Sequence, residues 1–431
     1  MTRTRRALLA CSTLAAAATA AALIAPPAVA ATPSPPGNTV RFATFNASLN
    51  RATAGQLQAD LAAPGNAQAA AVAEIIQRVR PDVLLINEFD FDAAGTSLRL
   101  FQQNYLSVAH NGASPIDYPY RYSAPSNTGI ASGFDLNNFG GTVTTPETPG
   151  YGDDALGFGA YPGQFGMAVY SKYPIHLDAV RTFQNFKWKD MPGALLPDDA
   201  STPAPADWYS PAELAVLPLS SKSHWDLPIS IGKRTVHFLV SHPTPPVFDG
   251  AEDRNGRRNF DEIRLWADYI TPGAGDYIYD DEGGTGGLGA GEAFVIAGDQ
   301  NSDPLDGDSI PGSIQQLLDN PLVNTSVTPR SDGGVWAAET QDQVNLTHES
   351  DPAEDTADFC DFLVGFPVNP CAGPGNLRAD YVLPSSDLQI VDSAVFWPVQ
   401  ADPLFRLTGV FPFPSSDHRL VWVDVVVSDD D

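Results

Sequence analysis

The stretch FVIAGDQN, residues 294–301, joins an apolar run to an acid and two amides. Phe294 to Ala297 is short and wholly apolar, which is typical of a strand buried on both faces. Asp299 and Asn301 follow where this strand ends. In open α/β sheets, ligands bind at the edge where such strands end. The stretch therefore predicts both a buried strand and a functional edge.

The same pattern recurs in the N-terminal part of the chain. Residues 82–88, DVLLINE, place Asn87 and Glu88 after a second apolar run. Residues 40–46, VRFATFN, alternate like a strand and end in Asn46. Three strands thus deliver a carboxylate or an amide at their ends.

Helices are predicted between these strands. Val72, Ile75, Ile76 and Val79 follow the 3.6-residue period within residues 67–80, and Pro81 ends that segment. Strands alternating with helices predict an α/β layered fold. The remaining elements are a helix at 259–270, a short helix at 313–319, strands at 166–170, 236–241, 381–383 and 420–427, and irregular insertions at 118–162 and 187–225.

Three further segments supply side chains of the same chemistry. They are VSHP with His242, RADY with Asp380, and SDH with Asp417 and His418. Carboxylate and amide oxygens suit a hard divalent cation such as Mg²⁺, Mn²⁺ or Ca²⁺. Imidazoles beside such a cation suit proton transfer and phosphate binding. The set therefore predicts metal-assisted chemistry on a phosphorylated substrate.

The ordered motifs TFN, INE, SHP, GDQN, ADY and SDH resemble the endonuclease/exonuclease/phosphatase superfamily, which is related to pancreatic deoxyribonuclease. The resemblance runs from Asn46 to His418. It implies a four-layer α/β/β/α sandwich with two packed mixed β-sheets. It also implies a single catalytic domain at residues 39–428 with long loop insertions, although length alone would suggest two or three domains.

The resemblance implies a metal site built from three residues. Glu88 is expected to be the principal ligand, with Asn46 and Asp417 helping. Mg²⁺ is the expected ion, with Mn²⁺ or Ca²⁺ as alternatives.

The resemblance also implies catalytic roles for five residues. Asp299 is expected to orient or deprotonate the attacking water, and Asn301 to hold a phosphate oxygen. His418 is expected to contact the phosphate, oriented by Asp380. His242 lies where nuclease-like members place a second catalytic histidine.

One position departs from the family pattern. Gln164 lies where deoxyribonuclease-like members have a glutamate that pairs with the second histidine. If Gln164 replaces that glutamate, His242 loses a charged partner. Its use as a strong general acid is then in doubt.

The N-terminal residues predict secretion. Residues 1–30 combine three arginines, an uncharged apolar stretch at 8–24 and the small residues Ala28-Val29-Ala30, as a cleavable signal peptide does. Residues 31–38 are a proline-rich linker. The pair Arg5-Arg6 leaves twin-arginine export open as an alternative route. We expect no membrane anchor after cleavage, because Pro26 and Pro27 end the apolar run early.

Cleavage would leave two cysteines, Cys360 and Cys371. In an oxidising compartment two cysteines this close favour a disulfide, with free thiols as the alternative.

The charge balance bears on the substrate. The 431 residues carry 52 acidic and 24 basic side chains, a net charge of −28. A polyanion would be repelled unless a local basic groove exists, and only Arg254, Arg257 and Arg258 cluster. We expect a monomer acting on a small phosphoester, phytate-like compounds included, in preference to nucleic acid. The alternatives are an extracellular nuclease of the same fold, a catalytically inactive extracellular binding module, and a calcium-binding surface protein.

Overall fold

The computed structural model describes residues 39–203, 206–341, 343–360, 371 and 373–428. The signal peptide predicted at 1–30 and the linker at 31–38 lie outside these residues, so export and cleavage stay predictions. Within the described ranges, no helix is both long enough and apolar enough to cross a membrane.

A six-stranded mixed sheet forms one half of the centre. Its strands are β1 (Thr39–Leu49), β2 (Val83–Phe89), β3 (Tyr120–Tyr122), β4 (Met167–Ser171), β12 (Gln389–Val395) and β13 (Val421–Val426). They lie in the order β12-β13-β1-β2-β4-β3. β1 and β2 run parallel, and β13 runs antiparallel to β1. The start of β13 therefore lies at the same edge as the ends of β1 and β2.

A five-stranded mixed sheet forms the other half. Its strands are β5 (Arg181–Thr182), β6 (His224–Ile231), β7 (Arg234–Ser241), β8 (Ala293–Asp299) and β11 (Asp380–Pro384), in the order β11-β8-β7-β6-β5. β7 and β8 run parallel. β11 runs antiparallel to β8, with Asp380 opposite Asp299. A separate antiparallel pair joins β9 (Ala357–Asp358) to β10 (Asn376–Leu377).

The described residues form eight helices. They are α1 (Gln56–Leu61), α2 (Ala67–Val79), α3 (Thr96–Phe101), α4 (Pro211–Val216), α5 (Arg254–Ile270), α6 (Gln315–Leu318), α7 (Asp332–Gln341) and α8 (Phe405–Thr408). A π turn at Gln102–Leu106 extends α3, and 3₁₀ turns lie at Gly152–Asp154, Trp188–Asp190, Ala274–Tyr277, Gln343–Thr347 and Pro352–Glu354. The apolar face of α2 packs on the first sheet, and that of α5 packs on the second.

The main core lies between the two sheets. Phe42 of β1 meets Phe238 of β7 with ring centroids 5.6 Å apart, and Leu85 and Trp225 belong to the same buried cluster. Two further apolar clusters separate the sheets from their helices. The layers therefore run α/β/β/α, and the predicted fold class is confirmed.

The last two residues of the insertion predicted at 187–225 belong to a strand. β6 begins at His224, and it contains buried polar residues and Pro228, so its sequence does not alternate cleanly. The Pro228 carbonyl accepts a hydrogen bond from His176 N at 2.9 Å, on the side away from β7. The proline nitrogen faces that same side, where the sheet ladder needs no N–H donor.

The structure contains the predicted disulfide. Cys360 and Cys371 are joined, with Cα atoms 4.5 Å apart. The free-thiol alternative is thereby set aside. Both half-cystines are buried.

A buried ion pair links the first strand to the last. Arg41 of β1 lies opposite Asp424 of β13, and two N–H···O bonds of 2.7 Å join their side chains. Arg41 Nη1 also donates to the Val79 carbonyl, and its guanidinium lies 3.7 Å from the Trp422 ring centroid. The pair is almost fully buried, so each charge depends on the other.

We expect Asp424→Ala to lower the free energy of unfolding by about 3–5 kcal/mol, because it leaves the Arg41 cation buried and unpaired. Urea unfolding measures this. The double variant Arg41→Met with Asp424→Leu should recover most of the loss. As a control, Lys189→Ala removes a half-exposed partner of Asp190 and should cost less than about 1 kcal/mol. If the control variant and Asp424→Ala lose a similar free energy of unfolding, burial does not determine the contribution of the ion pair.

Candidate active site

Strand alternation aims several polar side chains into the space between the sheets. Val40 and Phe42 of β1 face the inner core, and Asn46 continues the same alternate positions. The same alternation holds on or just beyond the other central strands. It places Asn87 on β2, His242 after β7, Asp299 at the end of β8 and Asp380 at the start of β11 on inward positions.

The carboxylate of Asp299 is the point at which these side chains meet. Its Oδ2 accepts a hydrogen bond from Asn46 Nδ2 at 3.0 Å. The same oxygen lies 3.4 Å from His242 Nε2 and 3.6 Å from His418 Nε2. Its Oδ1 accepts from the backbone N–H of Asn301 at 2.9 Å. One buried carboxylate thus contacts residues from both sheets.

His418 is held as a charged imidazolium. Its Nδ1 lies 2.8 Å from Asp380 Oδ2, which also accepts from the Thr356 hydroxyl at 2.8 Å. Burial alone would lower the pKa of His418, but the carboxylates of Asp380 and Asp299 raise it well above its usual range. The ring is oriented by Asp380, and its Nε2 is turned toward Asp299.

Glu88, Asn46 and Asp417 form a second corner of the site. Glu88 has a left-handed backbone with φ of 58°, and the pairing of β1 with β2 is irregular after Asn46. Such bulges and strained residues re-aim side chains at functional sites. The nearby Asn46 side chain lowers the pKa of Glu88, against the larger effect of burial, and Asp417 Oδ1 accepts from the Ser48 hydroxyl at 3.2 Å.

This corner fits a hard divalent cation. Burial, together with the Asp417 and Asp299 carboxylates, raises the pKa of Glu88 to about 7. Like charges gathered in this way are unfavourable unless a cation joins them. Carboxylate and amide oxygens are the ligands that Mg²⁺ and Ca²⁺ prefer. Glu88, Asn46 and Asp417 therefore have the chemistry of a metal site, although their role as ligands stays a prediction.

A different trio offers the tightest set of donor atoms. Asp299, Asp380 and His418 each provide one ligand atom, and these atoms lie within 4.8 Å of one another. This buried group could hold a metal ion. However, a metal needs a neutral imidazole. The Asp380 and Asp299 carboxylates raise the pKa of His418 well above its usual range, and a doubly protonated ring has no lone pair to give a metal. We therefore favour the corner at Glu88.

A pocket of about 1000 Å³ opens over these residues. Glu88, Asp299, Asn301, His242 and His418 all line it, as does Asp417. The structure thus brings all eight predicted site residues together: six line one cavity, and Asn46 and Asp380 contact the lining residues Asp299 and His418.

Sequence comparison agrees with this architecture. A profile described as "Endonuclease/Exonuclease/phosphatase family" matches residues 43–418. The chain belongs to this family. Its members are phosphoester hydrolases that include nucleases, and the predicted resemblance is confirmed. A search of curated proteins finds no match.

Solved structures of this family have low sequence identity to the chain. An endonuclease/exonuclease/phosphatase from Beutenbergia cavernae is 17% identical with a TM-score of 0.46, over 91% of this chain and 72% of its own. Truncated TDP2 from Caenorhabditis elegans is 15% identical with a TM-score of 0.42, over 91% and 99%. Sphingomyelinase C from Streptomyces griseocarneus is 14% identical with a TM-score of 0.42, over 90% and 99%.

This family member does not pair His242 with Gln164. The Gln164 side chain instead donates to the Arg51 carbonyl at 2.6 Å and accepts from Ala160 N at 2.6 Å. No described residue hydrogen-bonds His242 Nδ1. Burial, and the nearby Lys222 and His418 cations, lower the pKa of His242 well below its usual range. His242 is therefore a neutral imidazole.

Two features of the pocket were not predicted from the sequence. Lys222 lines the pocket together with His242 and Asp299, and an apolar wall includes Phe158, Phe165 and Phe248. Lys222 and Phe158 come from the two insertions that were predicted only as irregular. The SSKS segment at 220–223 has no recognised spacing, so no sequence signal pointed to Lys222.

We expect Asp380→Asn to lower the pKa of His418 toward its usual value of 6.5, because the negative charge beside Nδ1 is lost. His418 then loses its proton at a lower pH. The alkaline limb of an activity profile that depends on this proton should shift to lower pH. NMR titration of the histidine ring protons, assigned with His418→Gln, measures the pKa directly.

Asp226→Asn is the matched control, because Asp226 makes the equivalent contact with His237 at 2.7 Å. It should shift the pKa of His237 and leave His418 unmoved. A His418 pKa that is the same in wild type and Asp380→Asn would contradict the proposed ion pair.

Proposed function

We propose that this chain is a secreted, divalent-metal-dependent phosphoric ester hydrolase that uses in-line attack of water on phosphorus. One observation carries the proposal. A buried carboxylate, Asp299, meets His242, His418 and Asn46 at the floor of a large pocket, beside the carboxylates of Glu88 and Asp417. Amide, carboxylate and imidazole groups in this arrangement suit phosphoryl transfer.

Asp299 is the proposed acceptor of the water proton. Its carboxylate faces the pocket between two imidazoles and is oriented by Asn46 and Asn301. The His418 imidazolium supplies positive charge for a phosphate oxygen. Asn301, whose side-chain amide donates to the Pro243 carbonyl at 3.1 Å, lies beside it to bind another oxygen.

A metal held by Glu88, Asn46 and Asp417 would act as a Lewis acid on the phosphate when bound. Mg²⁺ is the proposed ion, with Mn²⁺ or Ca²⁺ as alternatives. The neutral His242 is suited to hydrogen bonding with the phosphate or the leaving group. It has no carboxylate behind it, so we do not assign it the role of strong general acid.

A small phosphoester is the proposed substrate. Arg254 and Arg258 line the pocket, but both are engaged with the protein itself: Arg258 donates to the carbonyls of Leu219, Leu156 and Pro218, and Arg254 pairs with Glu252. This supports a small substrate over a nucleic acid, which would need several free cations.

The apolar wall bears on the organic part of the substrate. Phe158 and Phe248 are 65% and 69% exposed, and both line the pocket. Exposed rings at a binding site favour contact with apolar or aromatic groups. We therefore place an ester with an apolar organic group ahead of a polyphosphorylated compound such as phytate.

Secretion is part of the proposal. It is supported by the signal peptide predicted at residues 1–30 and by the Cys360–Cys371 disulfide, which forms in oxidising compartments.

The test uses the mature protein and Glu88→Gln on p-nitrophenyl phosphate, bis-p-nitrophenyl phosphate, phytate and plasmid DNA. Each is assayed with Mg²⁺, Mn²⁺ or Ca²⁺ and with chelator. We expect turnover that chelator abolishes. Glu88→Gln should lower kcat/KM by about 10²–10³-fold, because it removes a charged group from the metal site.

Glu282→Gln is the control, because Glu282 is exposed in an acidic loop away from the pocket. Its activity should equal that of the wild type. Hydrolysis of DNA in preference to the small esters would favour the nuclease alternative. A folded wild-type protein without activity on any of the four would favour an inactive binding module.

A further inference from the structure

Lys222 is a buried lysine on the wall of the catalytic pocket. It lies in the loop before β6 and is only 7% exposed. It lines the same cavity as Glu88, His242 and Asp299. Its backbone is held in place, because its carbonyl accepts from Asn127 N at 2.9 Å. Lysines are rarely buried to this extent unless their charge is paired.

The Lys222 ammonium has no carboxylate partner in the part of the chain that the structure describes. Its one hydrogen bond there is a long contact of 3.4 Å to the Pro243 carbonyl. The nearby Glu262 is engaged elsewhere, with its two oxygens accepting from Ser221 N and Thr244 N at 2.6 Å each. A buried ammonium has three N–H donors, and a single long bond leaves most of that capacity unused. An anion in the pocket would supply the missing acceptors.

The contact to Pro243 also places Lys222 beside other donors. The same carbonyl oxygen accepts from Asn301 Nδ2 at 3.1 Å. The ammonium and the amide thus converge on one atom at the pocket wall. His242, next to Pro243 in sequence, brings a neutral imidazole to the same place. Ammonium, amide and imidazole donors gathered around one cavity are the arrangement that binds phosphate oxygens.

We infer that Lys222 is a further catalytic residue, whose ammonium binds a non-bridging oxygen of the substrate phosphate beside Asn301. This inference rests on the proposed function. In this role, the Lys222 ammonium binds the phosphate next to a neutral His242. No bond to Lys222 forms or breaks in this role.

The competing explanation is structural. Burial lowers the pKa of Lys222, and the carboxylates of Glu262, Asp299 and Glu88 oppose this shift, so its charge could serve only to balance the acidic cluster. Phosphate binding separates the two roles. A purely balancing charge would affect folding stability without a specific effect on an added anion.

The test compares wild type with Lys222→Met and Lys222→Gln. Inorganic phosphate is titrated into the Mg²⁺-loaded protein by calorimetry, and kcat, KM and Tm are measured with the two p-nitrophenyl esters. Loss of a charge-assisted hydrogen bond should weaken phosphate binding by about 10–100-fold. It should also lower kcat/KM by about 10²–10³-fold. We expect Tm to stay the same or rise, since an unpaired buried charge is removed.

Lys187→Met is the matched control. Lys187 is also a partly buried lysine bound to a backbone carbonyl, that of Val216 at 2.9 Å, but it does not line the pocket. Its phosphate affinity and kinetics should match the wild type.

The outcomes distinguish the inference from the proposed function. If the Lys222 variants keep the activity and the phosphate affinity of the wild type, the inference is wrong and the proposed function stands. Phosphate binding that depends on Lys222, in a protein that hydrolyses no ester, overturns the proposed function and the catalytic role of Lys222, and leaves a phosphate-binding site. Failure of wild type to bind phosphate, or failure of both Lys222 variants to fold, also overturns the inference.

Discussion

Hydrogen bonds between the two sheets at Asp299 fix the geometry of the whole site. The Asp299 carboxylate accepts from Asn46 of the first sheet, and its backbone N–H donates to Asn87 of the same sheet at 3.2 Å. A buried carboxylate is costly unless its oxygens are hydrogen-bonded. The strands that supply these partners must therefore end at one edge. The parallel pairs β1–β2 and β7–β8 provide that edge.

Charge balance is the second constraint on the site. Glu88, Asp299, Asp380 and Asp417 lie close together, and the net charge of the chain is already −28. Among the described residues, a charged His418 offsets part of this negative charge, while His242 stays neutral. Two imidazoles in different protonation states lie beside the Asp299 carboxylate. They give the site both a cation and a neutral hydrogen-bonding group. A divalent metal and a buried lysine would complete the same balance.

Much of the candidate site could be found from the sequence, because its residues lie at strand ends. An apolar run followed by Asp299 or Glu88 identifies both a strand and its functional end. The pairing partner of His242 could not be found in this way. Gln164 matched the family position by order in the chain, yet its side chain bonds Arg51 and Ala160. Order along the chain does not fix where a loop side chain points.

The sequence by itself determined the layered α/β class, the inward alternation of the central strands, the disulfide pair and the polar residues at the common edge. The class, the alternation and the common edge follow from local periodicity, which depends only on near neighbours. The disulfide follows from the number and spacing of the cysteines. The tertiary structure alone decided the apolar wall of the pocket, the separation of Gln164 from His242 and the burial of Lys222. Those features depend on how the long insertions fold back over the sheets. Their contacts join residues far apart in sequence, where no local period carries the information.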